Sequence, residues 1–210
     1  LQASEIWGSP VYTIGNSASF NITDNPHPYL INRFHYNEFF VNSVDIHDNL
    51  SENSEYISVH SLKAGYNLVS FSILPEDFTL LNSIIPGTGS ESPISGIIGE
   101  GAAASYIHTD SFGDISYGWV GSLRYISPDA GYWVQCTQDN ILIVQGNKDV
   151  NSNFELHPSS NLISYKCSIP GAIDELIPNK CIKGILGLGV ATSYINELGW
   201  VGTLTELLPG

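Results

Sequence analysis

Positive charge is scarce in this sequence: seven Lys and Arg stand against 21 Asp and Glu in 210 residues, for a net charge of −14. A surface of that sign repels phosphate backbones and anionic headgroups, which argues against nucleic acid as a partner. Charge of either sign is sparse, at 13% of residues, about half the share in an ordinary soluble domain. Asn, Ser and Gly fill the polar surface instead, and we expect an extracellular or cell-surface location. No apolar run approaches the roughly 20 residues that span a bilayer, so membrane insertion is not expected. The opening "LQASEIWGSPVY" has neither the basic nor the apolar region of a signal peptide, and no Met occurs, which leads us to expect a processed fragment. Cys136, Cys167 and Cys181 are too few for a disulfide scaffold and too scattered for a zinc site.

What the chain does have is hydrophobic content, at 42%, enough for ordinary packed cores. It also has internal recurrence. Three blocks appear twice in the same order. "GYNLVSFSI" from Gly65 is followed later by "SSNLISYKCSI" from Ser159. "GIIGEGAAASYI" from Gly96 returns as "GILGLGVATSYI" from Gly184, and "GWVGSL" from Gly118 as "GWVGTL" from Gly199. The spacing between partners shrinks along the chain, which places longer loops in the first unit, chiefly "PGTGSES" and "HTDSFGDISY".

The first block alternates apolar and polar residues at period two, as a strand with one buried face does. "PEDFTLLNSII" spaces Phe78, Leu81, Ile84 and Ile85 for a short helix, with "PGAIDELIPN" as its counterpart. "GWVG" and "GYWVQC" are aromatic and β-branched runs bounded by Gly, which favour strands. We therefore expect a mainly β or α+β chain. Residues 1–62 form a β-rich N-terminal region, 63–146 a first unit, and 147–210 a second unit that lacks its closing strand. The second unit has no counterpart of "GYWVQC", and a sheet short of a strand exposes backbone groups that other strands pair with. Residues 8–23, which carry Val11, Tyr12, Ile14, Phe20 and Ile22, are the expected donor, from this chain or from a neighbour, and truncation of a longer protein is the alternative ranked ahead of a neighbour. Matching positions in the two units lead us to expect Trp119 and Trp200 to be equivalent and buried. Cys167 and Cys181, within one unit, are the pair expected to bridge if any does.

The run "GYNLVSFSI", "ISGIIGEGAA", "GWVGSL", "ISPDAGYWV" resembles an uncharacterised tandem repeat of the Gly-Trp-Asn-Leu-Ile-Ser, Gly-Trp-Val-Gly-Ser-Leu, Pro-Gly-x-Gly-Tyr-Trp type. Such repeats occur in large secreted or surface-attached bacterial proteins, mostly marine. The resemblance covers about two thirds of the chain and implies location; no catalytic residues come with it. Tyr66 replaces the first Trp, and the second unit lacks the final Gly-Tyr-Trp.

No motif favours chemistry over structure. Gly99-Glu100-Gly101-Ala102-Ala103-Ala104 resembles a dinucleotide fingerprint, but the full helix and the later acid are missing, so a tight turn is expected. Asp149, Asn151 and Asn153 match the first ligands of a calcium loop, yet Phe154 takes the place of the required Gly and Ser160 that of the closing Glu. An Asx-rich linker is the expected reading, with calcium as the one metal considered and no other cofactor. Six histidines never pair at ligand spacing, and no Gly-x-Ser-x-Gly elbow occurs. Trp119, Trp133 and Trp200 are expected in the core, as Trp in strands flanked by Gly and Val at matching positions of a repeat usually is, with a platform for sugar rings as the alternative. Asn21-Ile22-Thr23 and Asn49-Leu50-Ser51 are glycosylation sequons if the host secretory pathway is eukaryotic. The leading expectation is a non-enzymatic extracellular structural or adhesive module, whose partners are itself by head-to-tail strand completion or other domains of a longer parent chain. A carbohydrate-binding module with glycan partners is the alternative, and a hydrolase fragment the third.

Overall fold

The computed structural model describes residues 56–76, 79–87, 92–111, 114–149, 154–167, 170–177 and 181–208, with strand segments at 2–5, 11–12 and 38–42. The chain is mainly β and its ladders are antiparallel. β1 (Gln2–Glu5), β2 (Val11–Tyr12), β3 (Glu38–Asn42), β4 (Tyr56–Leu62), β6 (Ile73–Leu74) and β11 (Asn140–Lys148) make a six-stranded sheet in the order β2-β1-β3-β4-β11-β6. β5 (Gly65–Ser70), β7 (Ile94–Gly99), β8 (Ala102–Ser111), β9 (Asp114–Gly121) and β10 (Gly131–Cys136) make a five-stranded sheet in the order β5-β10-β7-β8-β9. Helix α1 (Leu81–Ile84) is a single turn, shorter than its apolar spacing suggests.

These elements share one core. Leu62, Leu142 and Val144 come to it from the six-stranded sheet, Val69, Ile97, Tyr132 and Val134 from the five-stranded sheet, and Leu81 and Ile84 from α1. Burying each such side chain contributes about 1.5–3 kcal/mol. Phe71, fully buried, joins the layers, its ring centroid 5.2 Å from that of His60 and 5.8 Å from that of Tyr132. β4 pairs with β11 from Tyr56↔Gly146 to Leu62↔Asn140, so a continuous sheet runs across the sequence boundary at residues 62 and 63.

The second unit is smaller. β12 (Gly171–Ala172) and β16 (Glu206–Leu207) form a two-stranded ladder beside helix α2 (Ile173–Leu176). β13 (Gly184–Leu186), β14 (Ala191–Ile195) and β15 (Gly199–Gly202) form a three-stranded sheet. Its registers match the first unit residue by residue. Ile97↔Ala104 and Tyr106↔Trp119 correspond to Ile185↔Thr192 and Tyr194↔Trp200. The glycines closing both GWVG runs are required by close approach. A Cβ on Gly121 would lie 2.1 Å from the Ala103 carbonyl oxygen, and one on Gly202 2.2 Å from that of Ala191.

Two expectations are corrected. The block from Ser159 forms no strand like β5; only Ile163 makes an isolated bridge, to Ala130. β5 is held by β10, and without a strand of that kind the block fastens to the loop before β10. There Gly131 N–H bonds to Leu162 O at 3.0 Å, and Ser164 N–H to Asp129 O at 2.9 Å. Trp119 and Trp200 are equivalent in register but half-buried, because β9 and β15 are outer strands with a neighbour on one side. Of the expected donor segment 8–23 only Val11 and Tyr12 are described, and they pair with Ala3 and Gln2 of β1; residues 8–10 and 13–23 lie outside the described residues.

Candidate functional site

The five-stranded sheet is closed in its middle by β10, which pairs with β5 on one side and β7 on the other. β13 occupies the place of β7, yet among the described residues it pairs with β14 alone. Its backbone groups alternate in direction. Gly187 N–H bonds to Val190 O and Tyr194 N–H to Lys183 O, both at 2.9 Å, so residues 183 and 187 face β14. Leu186 and Gly184 therefore turn their N–H and C=O groups to the open side.

Burial differs between the two units. Ile97 is 0% exposed and Ile185 half-buried; Ile84 is 3% exposed and its counterpart Leu176 40%. Leu186 reaches 81% and Leu198 72%, with Leu188, Val201 and Ile195 also exposed.

Beneath α2, on the inner face of β14 and β15, lies a cavity of about 590 Å³. Ile173, Ile177 and Leu204 are its apolar walls, Tyr194 and Trp200 its aromatic ones, and Asp174, Thr192 and Thr205 its polar groups. The two rings meet edge to face at 5.5 Å, as Tyr106 and Trp119 do. Trp119 donates its indole N–H to Ile85 O at 2.9 Å; Trp200 makes no such bond among the described residues.

The junction between the units is polar. Lys166, with its side chain 2% exposed, places Nζ 2.6 Å from Asp129 and 2.7 Å from Asp149, and lies 5.5 Å from the Phe154 ring centroid. Burial works to lower the Lys166 pKa, but the bonds to Asp129 and Asp149 outweigh it and hold the ammonium above the usual lysine value. Glu100, at the tip of the β7–β8 hairpin, accepts from Leu162 N–H at 2.9 Å and pairs with His157. The Leu162 bond, then the one to His157, keep the Glu100 carboxyl below the usual range. The sequence signal for Lys166 is a lone cation where the first unit has Ser72. Glu100 gave none, since Leu188 stands at its counterpart.

Gly99 to Ala102 is the tight hairpin turn expected, with Gly101 at φ 70°. Asp149 is engaged with Lys166, while Asn151 and Asn153 lie outside the described residues, as do the two sequons. No cluster of three or more His, Cys, Asp or Glu suited to a metal occurs among the described residues. Cys136, buried, Cys167, half-buried, and Cys181, exposed, stand as thiols. Burial, with Asp139 adding to it, pushes the Cys136 thiol up. Among the described residues no helix is long and apolar enough to cross a membrane. No protein-family model, curated protein or solved structure matches the chain.

Proposed function

We propose that this protein is a non-enzymatic structural or adhesive module of an extracellular or cell-surface protein, and that it assembles by accepting a strand at β13. One observation carries the reading: β13-β14-β15 has the pairing of β7-β8-β9, while among the described residues only β7 has its covering strand. The exposed Leu186 on β13 and Leu188 just after it support it, since open edges beside apolar surface favour strand addition. The low charge and the resemblance to repeats of secreted bacterial proteins support the location. Light scattering over a range of concentrations tests the reading. The full chain forms assemblies larger than a monomer, and Leu186→Pro, which removes an outward N–H, abolishes them. A chain that is monomeric throughout overturns self-assembly.

A second reading, a carbohydrate-binding module, is favoured by the cavity. Trp200 and Tyr194 offer C–H stacking, the Trp200 indole a donor, and Asp174 an acceptor for hydroxyl groups. Glycan-array binding that disappears in both Trp200→Ala and Asp174→Asn supports it, and an array without signal removes it.

A further inference from the structure

We infer that the outer face of the five-stranded sheet binds a neutral, extended polysaccharide, laid across the strands from Tyr66 to Val120. This rests on the adhesive part of the reading above, names what the module adheres to, and uses no part of β13. Alternation makes the face. Val69, Val134, Ile97 and Ala104 are buried in the core, and their neighbours Leu68, Trp133, Ile98 and Ala103 turn outward. The registers set the outward residues in rows. One row runs Tyr66, Gln135, Gly96, Ser105, Val120 across all five strands, and Leu68, Trp133, Ile98, Ala103 form the row beside it. Tyr66 is 56% exposed, Val120 55% and Ile98 44%, and Trp133, expected in the core, is half-buried on this face.

Charge selects the partner. None of these residues is charged, on a chain of net charge −14. An acidic polymer is repelled by the surrounding surface, and a basic one finds no carboxylate here to pair with. The face instead offers apolar area with neutral polar groups set into it. The side-chain polar groups of Tyr66, Gln135, Trp133 and Ser105 make no hydrogen bond among the described residues, so each is free for a ligand. The Gln135 side chain lies over Gly96, where a Cβ would come within 3.2 Å of its Oε1, which holds the amide in the middle of the row. Pyranose rings combine apolar C–H faces with hydroxyls at the rim. They stack on Tyr66 and Trp133, while Gln135 and Ser105 bond the hydroxyls. A dry protein contact would bury those same groups unpaired, at a cost. The row crosses four interstrand spacings, about 19 Å, long enough for several linked rings. Leu162 lies against Gly131, two positions before Trp133, and walls the face on that side, so the chain is directed across the strands.

The full chain is incubated with insoluble cellulose, β-mannan and chitin, and with calcium alginate as the anionic counterpart, and the protein left in solution is measured. We expect saturable binding to at least one neutral polymer and none to alginate. Tyr66→Ala weakens it about tenfold or more and Gln135→Leu about threefold or more, with unchanged melting temperatures showing that both variants are folded. Tyr125→Ala removes a tyrosine that is 61% exposed on the loop after β9, off this face, and changes binding less than about twofold. Equal losses in Tyr66→Ala and Tyr125→Ala mark non-specific adsorption and overturn the inference. A loss in Trp200→Ala that Tyr66→Ala does not share moves the site to the cavity and overturns it too. If no polymer binds, the inference falls, and concentration-dependent association that Tyr66→Ala abolishes would then assign the face to a second copy. Leu186 lies on another sheet, so polysaccharide binding that fails while Leu186-dependent assembly persists removes the inference and leaves strand addition standing.

Discussion

Ile97 and Ile185 hold the same register position, opposite Ala104 and Thr192, and differ in what lies on their other side. Val134 of β10 pairs with Ile97, and no described strand reaches Ile185. Ile97→Ala therefore costs about 2–5 kcal/mol, as a cavity in a closed core does. Ile185→Ala costs less than about 1 kcal/mol in the isolated chain, because little packing is lost. Urea denaturation of the two variants measures the difference.

Lys166 gathers carboxylates from two loops, Asp129 and Asp149, on one ammonium. Lys166→Ala leaves Asp129 and Asp149 without it, but these are 56% and 33% exposed, so solvent screens part of the loss, and about 2 kcal/mol is expected rather than the full value of a buried pair. Lys166→Met, which keeps the volume, loses less. Denaturant midpoints of the two variants decide it, and equal losses would assign the effect to the lost ion pairs and not to packing.

His60 is buried beside Ser58, and burial lowers its pKa from 6.5 to about 4. The native state holds it neutral, while the unfolded chain binds a proton below 6.5. Its contribution is complete above pH 6.5, declines as pH falls and is gone below about 4, a loss of about 3 kcal/mol. His60→Leu flattens the stability profile over that window, measured by denaturant unfolding at a series of pH values.

At the hairpin tip, Pro158 O first and then Glu100 raise the His157 pKa above 6.5. The His157 share of the contact is full below 6.5 and lost as pH rises through the raised value. The Glu100 share is full above 4.5 and lost as pH falls through its lowered value. The contact is strongest between those limits. An NMR titration finds the His157 ring above 6.5, and Glu100→Gln moves it back toward 6.5.

Gly121→Ala places a methyl against the Ala103 carbonyl, at a φ of 156° that side chains rarely adopt. We expect a loss of about 3 kcal/mol or more, since backbone must shift. Gly202→Ala meets the same obstacle at Ala191 but acts on a smaller sheet, so its midpoint in thermal unfolding falls less.

The alternation of "GYNLVSFSI", the Gly-bounded "GYWVQC" and the recurring "GWVG" determined the strand content and the matching registers, because period and turn chemistry act locally. The same local signals misjudged Asn161 to Lys166, whose sequence reads as a strand like β5. A strand forms only where a neighbour satisfies its backbone, and among the described residues no strand stands beside this block as β10 stands beside β5. Partners far apart in the chain decided the rest. β4 met β11 across the expected boundary, Lys166 found Asp129 and Asp149, and the outer places of β9 and β15 left Trp119 and Trp200 half-buried. Composition and period fix which faces are apolar. Which of those faces is covered depends on long-range pairing, and that left Ile97 buried and Ile185 in part exposed.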